Sequence, residues 1–136
     1  MARLSLVSIV VDDYDRAVSF FVDGLGFELV EDSPATGSHD GHPKRWVEVR
    51  PPGAETSILL AKASTEEQQR AIGNQTGGRV GFFLEVEDFD GAHQRMLDAG
   101  VIFREEPRNE PYGKVAVFED VSGNTWDLLG PDPRLA

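Results

Sequence analysis

The sequence has no cysteine in its 136 residues, which excludes disulfides, thiolate zinc sites and cysteine nucleophiles together. It is poor in positive charge. Thirteen lysines and arginines stand against 24 aspartates and glutamates, a formal net charge of −11. Such a field repels a phosphate backbone, so no nucleic-acid partner is expected. Long hydrophobic runs are also missing. Met1-Ala2-Arg3-Leu4-Ser5 does not open a signal peptide, and no later stretch is long enough to span a membrane. We therefore expect a cytoplasmic protein with no membrane partner. What remains is an ordinary globular balance, 40% hydrophobic and 27% charged, in a length that fits one compact domain over 1–136.

The chain repeats itself. At a constant offset Val11 matches Val86, Asp13 matches Asp88, Tyr14 matches Phe89, Asp15 matches Asp90 and Ala17 matches Ala92. Val22-Asp23 then matches Leu97-Asp98, and after a one-residue slip Leu25-Gly26-Phe27 aligns with Ala99-Gly100-Val101. An ordered series of this kind points to a duplicated unit.

Each copy reads the same way. A β-rich run, 4–11 or 79–86, leads to an aspartate placed as a helix N-cap, Asp13 or Asp88. Apolar residues at helical spacing follow: Ala17, Phe20, Phe21 and Leu25 in one copy, Ala92, Met96 and Leu97 in the other. Gly24 and Gly26 close the first helix and Gly100 the second. Three strands are then predicted in each half, at 27–31, 45–50 and 56–61, and at 101–105, 115–119 and 125–129. The expected fold is α+β, two βαβββ modules at about 4–63 and 79–130. A polar linker at 64–78 joins them, with a short helix at 65–72.

Paired units carrying Val10-Val11-Asp12-Asp13-Tyr14-Asp15-Arg16-Ala17, Phe20-Phe21, Gly24-Leu25-Gly26-Phe27, Ala99-Gly100-Val101, Pro111-Tyr112-Gly113 and Asp120-Val121-Ser122-Gly123-Asn124 resemble the vicinal oxygen chelate superfamily. That family includes glyoxalase I, bleomycin-resistance proteins, fosfomycin-resistance proteins and extradiol dioxygenases. The resemblance implies a curved sheet around a concave cleft that takes small molecules, and pairing into a homodimer. It does not imply one chemistry, because the family hosts lyases, isomerases, dioxygenases and non-catalytic drug binders.

Catalytic members hold a divalent metal with His and Glu side chains. Carried onto this chain, those positions fall on Leu6, near Leu59, on Gly81 and on Asp127. An aliphatic side chain or a glycine offers no lone pair, so no metal cofactor is expected there. His39-Asp40-Gly41-His42 is a compact donor set within a loop marked by Gly37, Gly41 and Pro43. It reads as solvated loop or as a non-standard metal site. His93 reads as a structural histidine within a helix.

Strand alternation nominates the lining of the cleft. Leu6, Ser8 and Val10 share one face, as do Gly81, Phe83 and Glu85, then Thr125, Asp127 and Leu129. Trp46, Glu48 and Arg50 alternate with Val47 and Val49, and Tyr112 lies in a loop able to close over the cleft. The candidate ligand-binding residues are thus Ser8, Trp46, Glu48, Arg50, Phe83, Glu85, Tyr112 and Asp127. Each has a structural alternative: Trp46 as a packed aromatic, Glu48 and Arg50 as a surface pair, Glu85 as a rim carboxylate, Asp127 as a turn-associated acceptor.

The leading expectation is a protein that binds or sequesters a drug or metabolite in its cleft, without the usual divalent metal. The alternative is a lyase or isomerase of the glyoxalase type. It would use a metal through His39 or His42, or general acid–base work by Glu48, Glu85 or Asp127. In a third reading the cleft is vestigial and the protein is an accessory module.

Overall fold

The computed structural model describes residues 1–35 and 44–131, which fall into two compact units, Met1–Ile72 and Gly73–Ala136. The first contains β1 (Leu6–Val11), α1 (Tyr14–Ser19), a π-helical turn (Phe20–Gly24), β2 (Glu28–Ala35), β3 (Lys44–Arg50), β4 (Ser57–Lys62) and α2 (Glu66–Ala71). The second contains β5 (Phe82–Glu85), α3 (Phe89–Asp98), β6 (Arg108–Glu110), β7 (Gly113–Glu119) and β8 (Thr125–Gly130). Each unit has one four-stranded sheet, ordered β1-β4-β3-β2 and β5-β8-β7-β6. In both, the opening strand runs parallel to the closing one and the other pairs are antiparallel. This is the α+β architecture of two βαβββ modules.

The caps sit where the sequence places them. Asp13 accepts from the Arg16 backbone N–H at 2.8 Å, and that bond pulls its carboxyl below the ordinary carboxylate value. Asp88 accepts from Gly91 N–H at 3.1 Å. A third cap, not expected from the sequence, is Thr65, which accepts from Gln68 N–H at 3.1 Å.

The one-residue slip in the repeat has a structural cause. In the first unit the helix continues past Ser19 as a π-helical turn, Phe20–Gly24, whereas α3 stays regular to Asp98. A π-turn is where a helix absorbs an extra residue. Beyond it the copies return to step at Gly26 and Gly100, whose φ values of 78° and 87° close both helices in the left-handed region.

One predicted strand is displaced. Residues 101–105 form no regular ladder; the third element of the second unit is β6, Arg108–Glu110. The earlier segment meets β7 through the Phe103–Phe118 bridge, the bonds Arg104 N–H to Val117 O and Glu119 N–H to Ile102 O, and the Arg104–Glu119 ion pair at 3.1 Å. Beyond it Glu105 bonds with its side chain, its carboxylate accepting from Val117 N–H at 3.2 Å. Pro107, with no N–H, cannot donate to a ladder.

Most of each core lies on one face of its sheet, although Val115, on the other face of β7, is also fully buried. Ile9, Val11, Val47, Val49 and Leu60 are fully buried with Ala17 and Phe21 of the covering helical segment. In the second unit Phe118 and Leu128 are fully buried, with Phe89, Ala92, Met96 and Trp126 nearly so. Trp126 stacks between Phe82 and Phe118, at centroid separations of 4.7 and 5.6 Å. Burying each large side chain contributes roughly 1.5–3 kcal/mol.

Candidate functional site

The face of each sheet turned away from most of its core carries the polar and half-exposed candidates, beside the buried Ser57 in one unit and Val115 in the other. In the first unit, Ser8 on β1 lies across from Leu59 on β4, which lies across from Glu48 on β3. Since Val47 and Val49 are buried on the opposite face, Trp46, Glu48 and Arg50 share the face of Ser8. The Trp46 indole donates to a Glu48 carboxylate oxygen at 3.2 Å. Arg50 reaches Glu28 at 3.6 Å with one terminal nitrogen, while its Nε is buried and has no hydrogen-bond partner.

In the second unit Asp127 on β8 stands between Phe83 on β5 and Val117 on β7. Leu129, one step along the same face, stands between Glu85 and Val115. Phe83 is 63% exposed. The Asp127 carboxylate has its Oδ1 buried with no hydrogen-bond partner. Burial raises its pKa above the ordinary carboxylate value; the Arg108 charge opposes the rise and Glu105 adds to it. Arg108 is already engaged, its Nε donating to both Glu105 carboxylate oxygens at 3.1 and 3.2 Å while Nη1 meets Glu110. Those carboxylates raise the guanidinium pKa above its ordinary value.

A cavity of about 740 Å³ opens beside this face, lined by Glu85, Glu87, Tyr112, Leu129 and Pro131 among others. Of the sequence candidates, the structure thus brings Glu85 and Tyr112 together at one cavity and sets Phe83 beside Asp127. Ser8, Trp46, Glu48 and Arg50 share a face of the first unit. Glu87 was not among the candidates, although continuing the β5 alternation from Glu85 by one step reaches it. Nothing local in the sequence marks Glu105 and Arg108 as neighbours of Asp127, since they come together through strand pairing.

The positions that would carry metal ligands are poorly suited to a cation. Leu6 and Leu59 have no donor. A Cβ at Gly81 would stand 2.5 Å from Thr76 Cγ2, so the Thr76 side chain occupies that space. Thr76 is itself held by a hydrogen bond to the Arg79 carbonyl. Among the described residues no three His, Asp or Glu side chains converge as a metal site. His39 and His42 lie outside the described residues. His93 is half-buried, stacked on Phe89 at 5.8 Å and edge-on to Phe103 at 4.6 Å, a packing role. No helix among the described residues is long and apolar enough to cross a membrane.

A family model described as the Glyoxalase/Bleomycin resistance protein/Dioxygenase superfamily matches residues 3–128. A protein of Shewanella frigidimarina (strain NCIMB 400) is 48% identical over 124 residues, covering 90% of this chain and 89% of that one. Two solved structures are similar throughout. UcmS2 has a TM-score of 0.78 at 34% identity, covering 95% of this chain and 98% of its own. TnmS3, an antibiotic binding protein from Streptomyces sp. CB03234, has a TM-score of 0.76 at 30% identity, covering 97% and 98%.

Proposed function

This chain belongs to the Glyoxalase/Bleomycin resistance protein/Dioxygenase superfamily, and on that footing we propose that it binds and holds a small drug or metabolite without a resident divalent metal. The observation that carries the reading is the cavity of about 740 Å³ beside the exposed sheet face of the second unit, where Glu85, Tyr112 and Leu129 meet. Its mixture of apolar wall and a few polar groups is that of a small-molecule site. Similarity to an antibiotic binding protein supports the same class of role.

A thermal-shift screen of antibiotics, aromatic metabolites and thiol conjugates tests this, because a ligand that binds only the folded chain raises Tm. At least one class should raise Tm, and Tyr112→Ala should abolish the rise. A flat response across the panel overturns the reading. Elemental analysis of untagged protein tests the metal-free part: stoichiometric nickel, zinc, manganese or iron overturns it. The raised Asp127 pKa favours one second reading, a lyase or isomerase in which Asp127 moves a proton. Product formation from an oxygenated substrate, lost in Asp127→Asn, would establish it. We also propose a homodimer, the commonest closed oligomer; sedimentation giving a monomer at all concentrations would refute it.

A further inference from the structure

The exposed face of the second unit has an unbalanced charge. Glu85 and Glu87 line its cavity, and Asp127 lies on the same face, one step along β8 from Leu129 of the cavity wall. The ion pairs of this unit among the described residues are Arg104 with Glu119, Arg108 with Glu105 and Glu110, and Lys114 with Asp90. None of them neutralises Glu85, Glu87 or Asp127. Arg108, the cation whose charge reaches Asp127, is already shared between two glutamates.

The uncharged part of the surface is apolar and aromatic. Phe83 is 63% and Tyr112 66% exposed, and Leu129 and Pro131 complete the wall. An aromatic face attracts a cation, and carboxylates at its edge add to that attraction. An anionic ligand would meet uncompensated carboxylates, and a neutral one would gain no attraction from them.

We propose that the ligand of this face is an organic cation. Its ammonium-type head would be held by Glu85 and Glu87, and its apolar body would lie on Tyr112, Leu129 and Pro131. This deepens the small-molecule reading above and rests on it.

Calorimetric titration of the full chain with three probes of one shape tests it: naphthylmethylammonium, naphthylmethanol and naphthoate. The ammonium should bind about tenfold more tightly than the alcohol, between the water and protein-surface limits for charges in contact. Naphthoate should bind most weakly, and added salt should narrow the gap. Glu85 and Glu87 are both exposed, so the double variant Glu85→Gln, Glu87→Gln should fold normally. It should bring the ammonium to within about twofold of the alcohol measured on the same variant, contact pairs being the main source of the preference. The charge-matched control Glu66→Gln, Glu67→Gln, on exposed α2 of the first unit, should leave all three affinities as they were. Loss of the preference in that control would assign it to net charge and overturn the proposal. Equal binding of the three probes overturns the cation inference and leaves the binding reading standing. Absence of binding by all three probes overturns the cation inference, and the thermal-shift panel then decides the binding reading by itself.

Discussion

At the scale of single residues, two aspartates of β8 and the turn before it show opposite uses of a carboxylate. Asp120 is 5% exposed and fully bonded. It accepts from the backbone N–H groups of Ser122 and Asn124 at 2.9 and 3.0 Å, from the Asn124 amide at 3.1 Å and from the Trp126 indole at 3.0 Å. Asp120→Ala would strand these donors at once, and a loss of about 3–5 kcal/mol in urea unfolding is expected. Asp120→Asn should lose less, since it keeps one acceptor. Asp127 is the reverse case, a carboxylate partly desolvated and short of partners. Its folded pKa is raised, so its ionised form is disfavoured by folding at neutral pH. That cost is absent below the unfolded pKa and appears as pH rises through the folded one. Asp127→Asn should therefore raise Tm at neutral pH, with the advantage vanishing in acid. A Tm advantage independent of pH would contradict the assignment.

At the scale of elements, the repeat supplies internal controls. Asp88 caps α3 through Gly91 N–H. Asp88→Ala should cost about 1 kcal/mol and Asp88→Asn almost nothing, as measured by denaturant midpoint. Gly100 has φ 87° and open space where a side-chain methyl would stand, so Gly100→Ala should cost only the left-handed backbone penalty, roughly 1–2 kcal/mol. Gly130→Ala carries no left-handed penalty but meets a clash, because its Cβ would stand 2.7 Å from Phe89 Cβ; it should be the more damaging of the two. Helices, caps and closing glycines were legible in the sequence because each depends on residues a few positions apart. The displacement of β6 was not. It turns on Glu105 bonding across to Val117 and on Pro107 withholding a donor, a competition visible only once β7 lies alongside.

At the scale of the whole chain, a net charge of −11 sets a background of self-repulsion. Moderate sodium chloride should raise Tm by roughly 2–4 °C relative to low ionic strength, the shift that about 1 kcal/mol produces in a chain of this length. A fall in Tm with salt would show that specific ion pairs outweigh the general field. One well-connected group among the described residues centres on Arg45. It bonds Asp32 at 3.1 and 2.7 Å, meets Asp15 at 3.0 Å and lies 4.9 Å over the Tyr14 ring, tying β3 to β2 and α1.

The repeated Val-x-Asp-x-Asp opening, read from the sequence alone, determined the two βαβββ modules and the faces of their strands. Periodicity is a local property, and burying one face of a strand leaves the other no choice. The same register put Leu6 and Gly81 at positions where a metal ligand would need a donor. Tertiary structure decided what surrounds the candidate residues. It placed Thr76 against Gly81, engaged Arg108 with Glu105 and Glu110, and left Asp127 Oδ1 without a donor. It also set Glu85, Glu87 and Tyr112 around one cavity. Those relations join side chains distant in sequence, and only the paired strands bring them within bonding range.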